Sequence, residues 1–380
     1  MIAMAEEKKP EKKVDKKGAL EAKLGEYQKE YSKTKHNKAT NLHLGILRAK
    51  IADVKKEIVE AGKRQKGEGF FVRKRGDATV ALLGFPSAGK SSLINLLANT
   101  NSKTAAYAFT TTTIIPGTMM YKDSHIQIFD MPGIIEDAHK GVGGGKSVLS
   151  ALKTSDLVVF VVDVGNLGQL DMIMKELDAL HIKINKKAPR VDVIELEKNT
   201  GIEIGFNRSD IPDEDVIEIL TELRFHNVFV RIGDKLTLDE LIEMVMGRSS
   251  YMKGIIALNK IDTVPVYEKL GTELSKKWNM EVIPVSATDR KNIELLKDGI
   301  YRNLGIMTVY LSPDGKEMNP LILKKGADIG DAAARLHTKL MDVTRSAYVT
   351  GPSAKFDKQR VGVEHELKEG DKITFIRGDR

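Results

Sequence analysis

One short stretch narrows the choice of fold more than any other. It reads Gly84-Phe85-Pro86-Ser87-Ala88-Gly89-Lys90-Ser91, the pattern G-x-x-x-x-G-K-[ST], with Ser92 directly behind it. The apolar run Ala78–Leu83 leads in, and a helical pattern over 91–98 leads out. Such a context calls for a strand, a tight loop and a helix start. The glycines let successive backbone N–H groups turn inward onto phosphate oxygens. Lys90 supplies a positive charge for the β- and γ-phosphates, Ser91 a hydroxyl for Mg²⁺, and the helix N-terminus adds its dipole. A ligand-free glycine turn is the bland alternative, and the flanking strand and helix weaken it. A second glycine-rich stretch, GVGGGKS over 141–147, has Lys140 where the first glycine belongs and no strand entering it. It reads as a flexible segment.

A phosphate loop alone does not separate ATP from GTP. Asn259-Lys260-Ile261-Asp262 does, because it follows the apolar run 255–258 and so sits at the carboxyl end of a strand, where α/β sheets bind ligands. The Asp262 carboxylate can accept hydrogen bonds from N1–H and the 2-amino group of guanine. Adenine offers neither donor. Asn259 can tie this loop to the phosphate loop, and the Lys260 stem can cover the base. Ser286-Ala287 follows the run 282–285, and its backbone N–H could reach guanine O6.

Asp130-Met131-Pro132-Gly133 closes the run 125–129. Asp130 can hold Mg²⁺ through water, and the Gly133 N–H can bond the γ-phosphate and sense its loss. Between this turn and the phosphate loop lies Phe109-Thr110-Thr111-Thr112-Thr113, of which one threonine should ligate Mg²⁺. Many GTPases place Gln directly after the D-x-x-G glycine. Ile134 stands there instead and cannot orient water, so slow intrinsic turnover is expected.

The rest of the chain frames this site. Its 380 residues are 41% hydrophobic and 30% charged, enough for several compact domains. The absence of cysteine excludes disulfides, thiolate metal sites and cysteine nucleophiles. No apolar run is long enough to span a membrane, and the lysine-rich start is no signal peptide, so a cytoplasmic protein is expected. A net charge of +7 favours polyanionic partners such as RNA or ribosomes, with a well-solvated surface as the bland alternative. Residues 1–17 read as a disordered charged tail and 18–76 as a helical hairpin with linker. Residues 77–183 and 233–304 read as a doubly wound α/β domain with a mostly parallel sheet. Residues 184–232 read as a small α+β insertion and 305–380 as a compact β-grasp module. The eight histidines show no metal-ligand spacing, and Trp278 reads as a packing residue.

In this order, GFPSAGKSS, AYAFTTTT, DMPGIIEDA, NKID and SA resemble the Obg-related GTPases, and among them the developmentally regulated GTP-binding branch. The stretch 34–45 is similar to that branch's helical N-terminal region. The tail with Tyr348 to Gly351 and Val361-Gly362 resembles its C-terminal TGS domain. The resemblance implies a P-loop GTPase domain and Mg²⁺-dependent hydrolysis of GTP to GDP, often stimulated by K⁺. It selects Thr111 as the magnesium threonine, with Lys90, Thr111 and Gly133 carrying catalysis. It further implies a ribosome- or RNA-associated switch in translation, with a regulatory protein as one candidate ligand of the TGS domain. Ser87 stands where the best-known potassium-activated GTPases carry Asn. The competing readings are a nucleotide-sensing adaptor with negligible turnover and an ATPase, the latter disfavoured by Asp262.

Overall fold

The computed structural model describes residues 12–35, 40–61, 76–98, 116–131, 152–197, 200–247, 249–312, 318–336 and 344–377. These fall into two compact units. One comprises the described parts of Met1–Glu68 and Lys187–Ser250, the other the described parts of Gly69–Lys186 and Tyr251–Arg380.

The first unit begins with the helical hairpin, α1 (Lys12–Lys33) and α2 (Asn41–Ala61). Helix α1 starts inside the stretch expected to be a disordered tail: Lys12–Lys17 are already helical, in keeping with the good helix propensity of lysine. Residues 1–11 lie outside the described set. Helix α2 turns an apolar stripe inward, with Leu44, Leu47 and Val54 buried. Ile46 and Ala49 join the core of a small sheet built from β6 (Val191–Glu195), β7 (Ile202–Asn207) and β8 (Val228–Ile232), in the order β6-β8-β7. Strand β8 alternates buried and half-buried residues, as a one-sided sheet requires. Helices α5 (Asp213–Glu222) and α6 (Leu238–Val245) cover its inner face with Val216, Ile219, Leu220, Leu241 and Ile242. Thr237 and Glu240 cap α6 reciprocally at its N-terminus. The segment 233–249, expected to belong with the nucleotide domain, therefore packs with the insertion instead. Ion pairs Arg48–Asp239 (3.0 Å) and Lys50–Glu222 (2.5 Å) join the hairpin to the same helices.

The second unit holds a sheet of β1 (Ala78–Leu83), β2 (Pro116–Tyr121), β3 (Ser124–Asp130), β4 (Leu157–Asp163), β9 (Ser250–Asn259) and β10 (Val282–Pro284), ordered β10-β9-β4-β1-β3-β2. The short β5 (Ile182–Ile184) pairs with β9. Strands β10, β9, β4, β1 and β3 run parallel, and β2 is antiparallel at the edge. Every residue of β1 is buried, as is β4 up to its last residue, so their continuous apolar runs follow from two covered faces. One face carries α4 (Gly168–Ala179) and α7 (Tyr267–Trp278), the other α3 (Lys90–Leu97) and α8 (Ile293–Leu304). Trp278 packs against the first of these cores.

The chain then enters a five-stranded sheet of β11 (Ile306–Leu311), β12 (Asn319–Lys324), β13 (Thr344–Thr350), β14 (Gln359–Gly362) and β15 (Lys372–Arg377), ordered β12-β11-β15-β13-β14, with α9 (Ile329–Leu336) against it. Central β11 and β15 are parallel and the remaining pairs antiparallel, the β-grasp arrangement. Strand β14, a polar edge with a single buried residue, was not expected from the sequence.

Candidate nucleotide site

Parallel strands bring their carboxyl ends to one edge. Leu82 of β1 lies beside Asp130 of β3, Leu83 beside Phe160 of β4, and Asp163 of β4 beside Asn259 of β9. The edge thus collects four separate stretches of sequence.

The loop between β1 and α3 has the shape that the glycines permit. A Cβ on Gly84 would overlap the Val161 carbonyl oxygen, and one on Gly89 would overlap Asn259 Nδ2. Gly89 also sits at φ 95°, and Ser87 at φ 65°, both left-handed. Ala88 is buried, while Pro86, Ser87, Ser91 and Ser92 are exposed. Phe85 packs on the core beneath the loop. Lys90 Nζ reaches back across the loop and donates to the carbonyls of Gly84 (3.0 Å) and Phe85 (3.2 Å).

Ser91 Oγ donates to Asp130 Oδ2 at 3.1 Å, so the two expected magnesium-side residues stand together. The other carboxylate oxygen, Oδ1, is buried without a hydrogen-bond partner. An orphaned buried acceptor is costly unless something satisfies it. A hydroxyl beside a carboxylate with a spare oxygen fits a hard, oxygen-seeking cation such as Mg²⁺. Among the described residues there is no cluster of three or more His, Asp or Glu able to hold a metal by itself. Phe109, Thr110, Thr111 and Gly133, with Ile134 and the stretch 141–147, lie outside the described residues.

Asn259 is the joint of the site. It is 1% exposed. Its Nδ2 donates to the Ala88 carbonyl (2.8 Å), and its Oδ1 accepts from the Ala287 N–H (3.1 Å). One side chain thereby ties the phosphate loop to the loop that begins at Ser286. Lys260 follows with a left-handed backbone, φ 64° and ψ 35°, and starts a 3₁₀ turn, Ile261–Thr263, that carries Asp262. Ser286 Oγ donates to Asp262 Oδ1 at 2.5 Å and accepts from the Asp289 N–H at 3.0 Å, which steadies the carboxylate.

The Ser286-Ala287 pair differs from expectation in one respect. The Ser286 N–H donates to the Lys291 carbonyl and the Ala287 N–H to Asn259. The Ser286 amide closes the loop on itself through the Ser286–Lys291 bridge, and the Ala287 amide holds the Asn259 side chain, so the backbone N–H expected to reach guanine O6 is already engaged within the protein.

Sequence reasoning missed Asp163. Its Oδ2 accepts from Lys260 Nζ at 2.7 Å and its Oδ1 from the Gly165 N–H at 2.9 Å. Burial pushes its pKa up, but the bonds from Lys260 and Gly165 outweigh burial and hold the carboxyl below the usual range. The available signal was a carboxylate ending a β-branched run at the ligand edge.

Comparison with known proteins agrees with this architecture. A family profile described as a 50S ribosome-binding GTPase matches residues 79–195, and one for the C-terminal region of that domain matches 199–306. A TGS domain profile matches 307–377. A GTP-binding protein of Methanocaldococcus jannaschii is 40% identical across 94% of this chain and 93% of its own length. GTP-binding protein 1 of Schizosaccharomyces pombe is 37% identical across 94% and 99%. Developmentally-regulated GTP-binding protein 2 of Homo sapiens is 36% identical across 95% and 100%.

Proposed function

Because the chain belongs to the family of developmentally regulated GTP-binding proteins, we propose that it hydrolyses GTP to GDP and phosphate in a Mg²⁺-dependent reaction and acts as a slow switch on a ribosome or RNA. The observation that supports this most is the Asn259 side chain, which links Ala88 of the phosphate loop to Ala287 beside Asp262. A single ligand holding a triphosphate at one end and a purine at the other would span that joint.

In this reading residues 84–92 wrap the phosphates, with Lys90 moving its ammonium from the loop carbonyls to the β- and γ-oxygens. Ser91 and Asp130, with Thr111, would hold Mg²⁺, which when bound neutralises charge on those oxygens. Asp262 reads the guanine edge and Lys260 covers it. Phe109, Thr110 and Gly133 complete the γ-phosphate side. Catalysis rests on Lys90, Thr111 and Gly133. With Ile134 after that glycine, no glutamine orients water at this position, so turnover is slow and open to stimulation by K⁺ or a partner.

The ribosome or RNA as partner is supported by the net charge of +7 and by the ribosome-binding description of the matched profile. No helix among the described residues is long and apolar enough to cross a membrane. The TGS domain would take RNA or a regulatory protein.

Phosphate release from GTP tests the proposal, run with K⁺ or Na⁺ and with or without ribosomes. Slow, Mg²⁺-dependent release that is lost in Asp130→Ala is the expected result. Bound GTP that is never cleaved under any of these conditions would favour the adaptor reading over the enzyme. A fast rate indifferent to cation and partner would contradict the switch.

A further inference from the structure

Lys260 has a neighbour that no nucleotide motif names. Asp163 ends β4 one strand away, in register with Asn259. The Val164 N–H donates to the Asn259 carbonyl at 3.0 Å, so the two strand ends are stitched together just where these side chains leave them. Both Asp163 oxygens are committed, one to the Lys260 ammonium and one to the Gly165 amide, so the carboxylate has a single orientation. The pair is half-buried, with side chains 36% and 24% exposed. It is therefore less screened than the exposed pairs that contribute little. The left-handed backbone of Lys260 adds a second constraint, since an L residue seldom adopts it unless its surroundings hold it there.

A free lysine stem samples many rotamers, and a ligand that needs it in one of them bears that entropy on binding. A fixed anion at the next strand end removes most of this freedom beforehand. We propose that Asp163 is a positioning residue for the nucleotide base: it anchors the Lys260 ammonium so that the methylene stem stands ready as one wall of the guanine pocket. This rests on the guanine-pocket reading above. Asp163 makes no bond with the phosphate loop in the structure, so its loss should weaken GDP and GTP alike and leave the cleavage of bound GTP unchanged.

A double-mutant cycle with fluorescent GDP and GTP analogues tests it, using Asp163→Asn, Lys260→Met and the double variant. Asp163→Asn should weaken both nucleotides about tenfold, mostly through faster dissociation, with the single-turnover rate at saturation unchanged. In the Lys260→Met background the same change should cost nothing further. Asp163→Glu, which keeps the charge one methylene out of place, should fall between Asn and wild type, and it decides the matter if the Asn variant folds poorly. Wild-type affinity in Asp163→Asn, an equal loss with and without Lys260, or a Glu variant as weak as Asn would overturn the positioning role. Failure of the unaltered protein to take up guanine nucleotide would instead remove the pocket reading and this inference with it.

Discussion

At the scale of single residues, the site depends on side chains that satisfy buried backbone groups. Asn259 serves one carbonyl and one amide from two different loops. Asn259→Ala would leave Ala88 O and Ala287 N–H without partners, at a cost of about 1–3 kcal/mol for each group that water does not reach. We expect a loss of about 2–4 kcal/mol in urea unfolding and a larger relative loss of nucleotide affinity. An affinity unchanged from wild type would show that the loops hold their places without it. Lys90, Ser91, Asp130, Asn259 and Asp262 were legible in the sequence, because each lies in a spaced pattern at a strand's end. Asp163 was not. A lone Asp after a β-branched run has no pattern around it, and its role comes from the neighbouring strand, which is far away in sequence. The use of the Ser286 and Ala287 amides was equally hidden, since the bridge to Lys291 depends on how the loop turns back.

At the scale of elements, hydrophobic period did most of the work. Continuous apolar runs marked β1 and β4, and three-four spacing marked α2. Among the strands, those that escaped were short or polar pieces, β2, β5 and β14, where few side chains face a core. The β6–β8 pair illustrates how such marginal strands are closed. Arg190, just before β6, donates to Asp234, just after β8, through its backbone N–H, Nε and Nη2. The Asp234 carboxyl is pulled from 3.8 down to about 2, chiefly by the Arg190 side-chain bond. Because the folded pKa lies below the unfolded one, the stabilisation is complete above about pH 4 and is lost as pH falls through about 2. The urea midpoint of wild type should therefore exceed that of Asp234→Asn by a constant margin from neutral pH down to about pH 4, and the margin should close below it. A margin that stays constant into acid would contradict the pairing.

At the scale of the molecule, the sequence separated the pieces but did not show how they associate. The hairpin and residues 187–250 share one core through contacts such as Ile46 with the α5 and α6 side chains, which sequence spacing cannot reveal. In the other unit, the nucleotide domain and the TGS domain meet around Tyr301 of α8. Its hydroxyl donates to Glu369 at 3.0 Å and lies 3.0 Å from Thr308 Oγ1, which donates to the Lys122 carbonyl in the β2–β3 turn. Burial raises the Tyr301 pKa well above the tyrosine range, and Glu369 raises it further, so the hydroxyl keeps its proton. Tyr301→Phe would remove the hydroxyl's bond to Glu369, which is exposed and keeps the Thr308 N–H, and should lower stability by about 1 kcal/mol while loosening the TGS domain to protease. Nucleotide affinity should stay at the wild-type level, because Tyr301 lies outside the site. Unaltered protease resistance would mean that the apolar contacts alone hold the two domains.

The central claim is that one pocket, assembled at the carboxyl edge of the sheet, takes a guanine nucleotide with Mg²⁺. Isothermal titration of the full chain with GDP, ADP and XDP, in the presence and absence of Mg²⁺, tests it most directly. The account predicts Mg²⁺-sensitive uptake of GDP, none of ADP at the same concentration, and a shift of preference from GDP to XDP in Asp262→Asn. Equal uptake of ADP and GDP, or an Asp262→Asn variant that still prefers GDP, would contradict it.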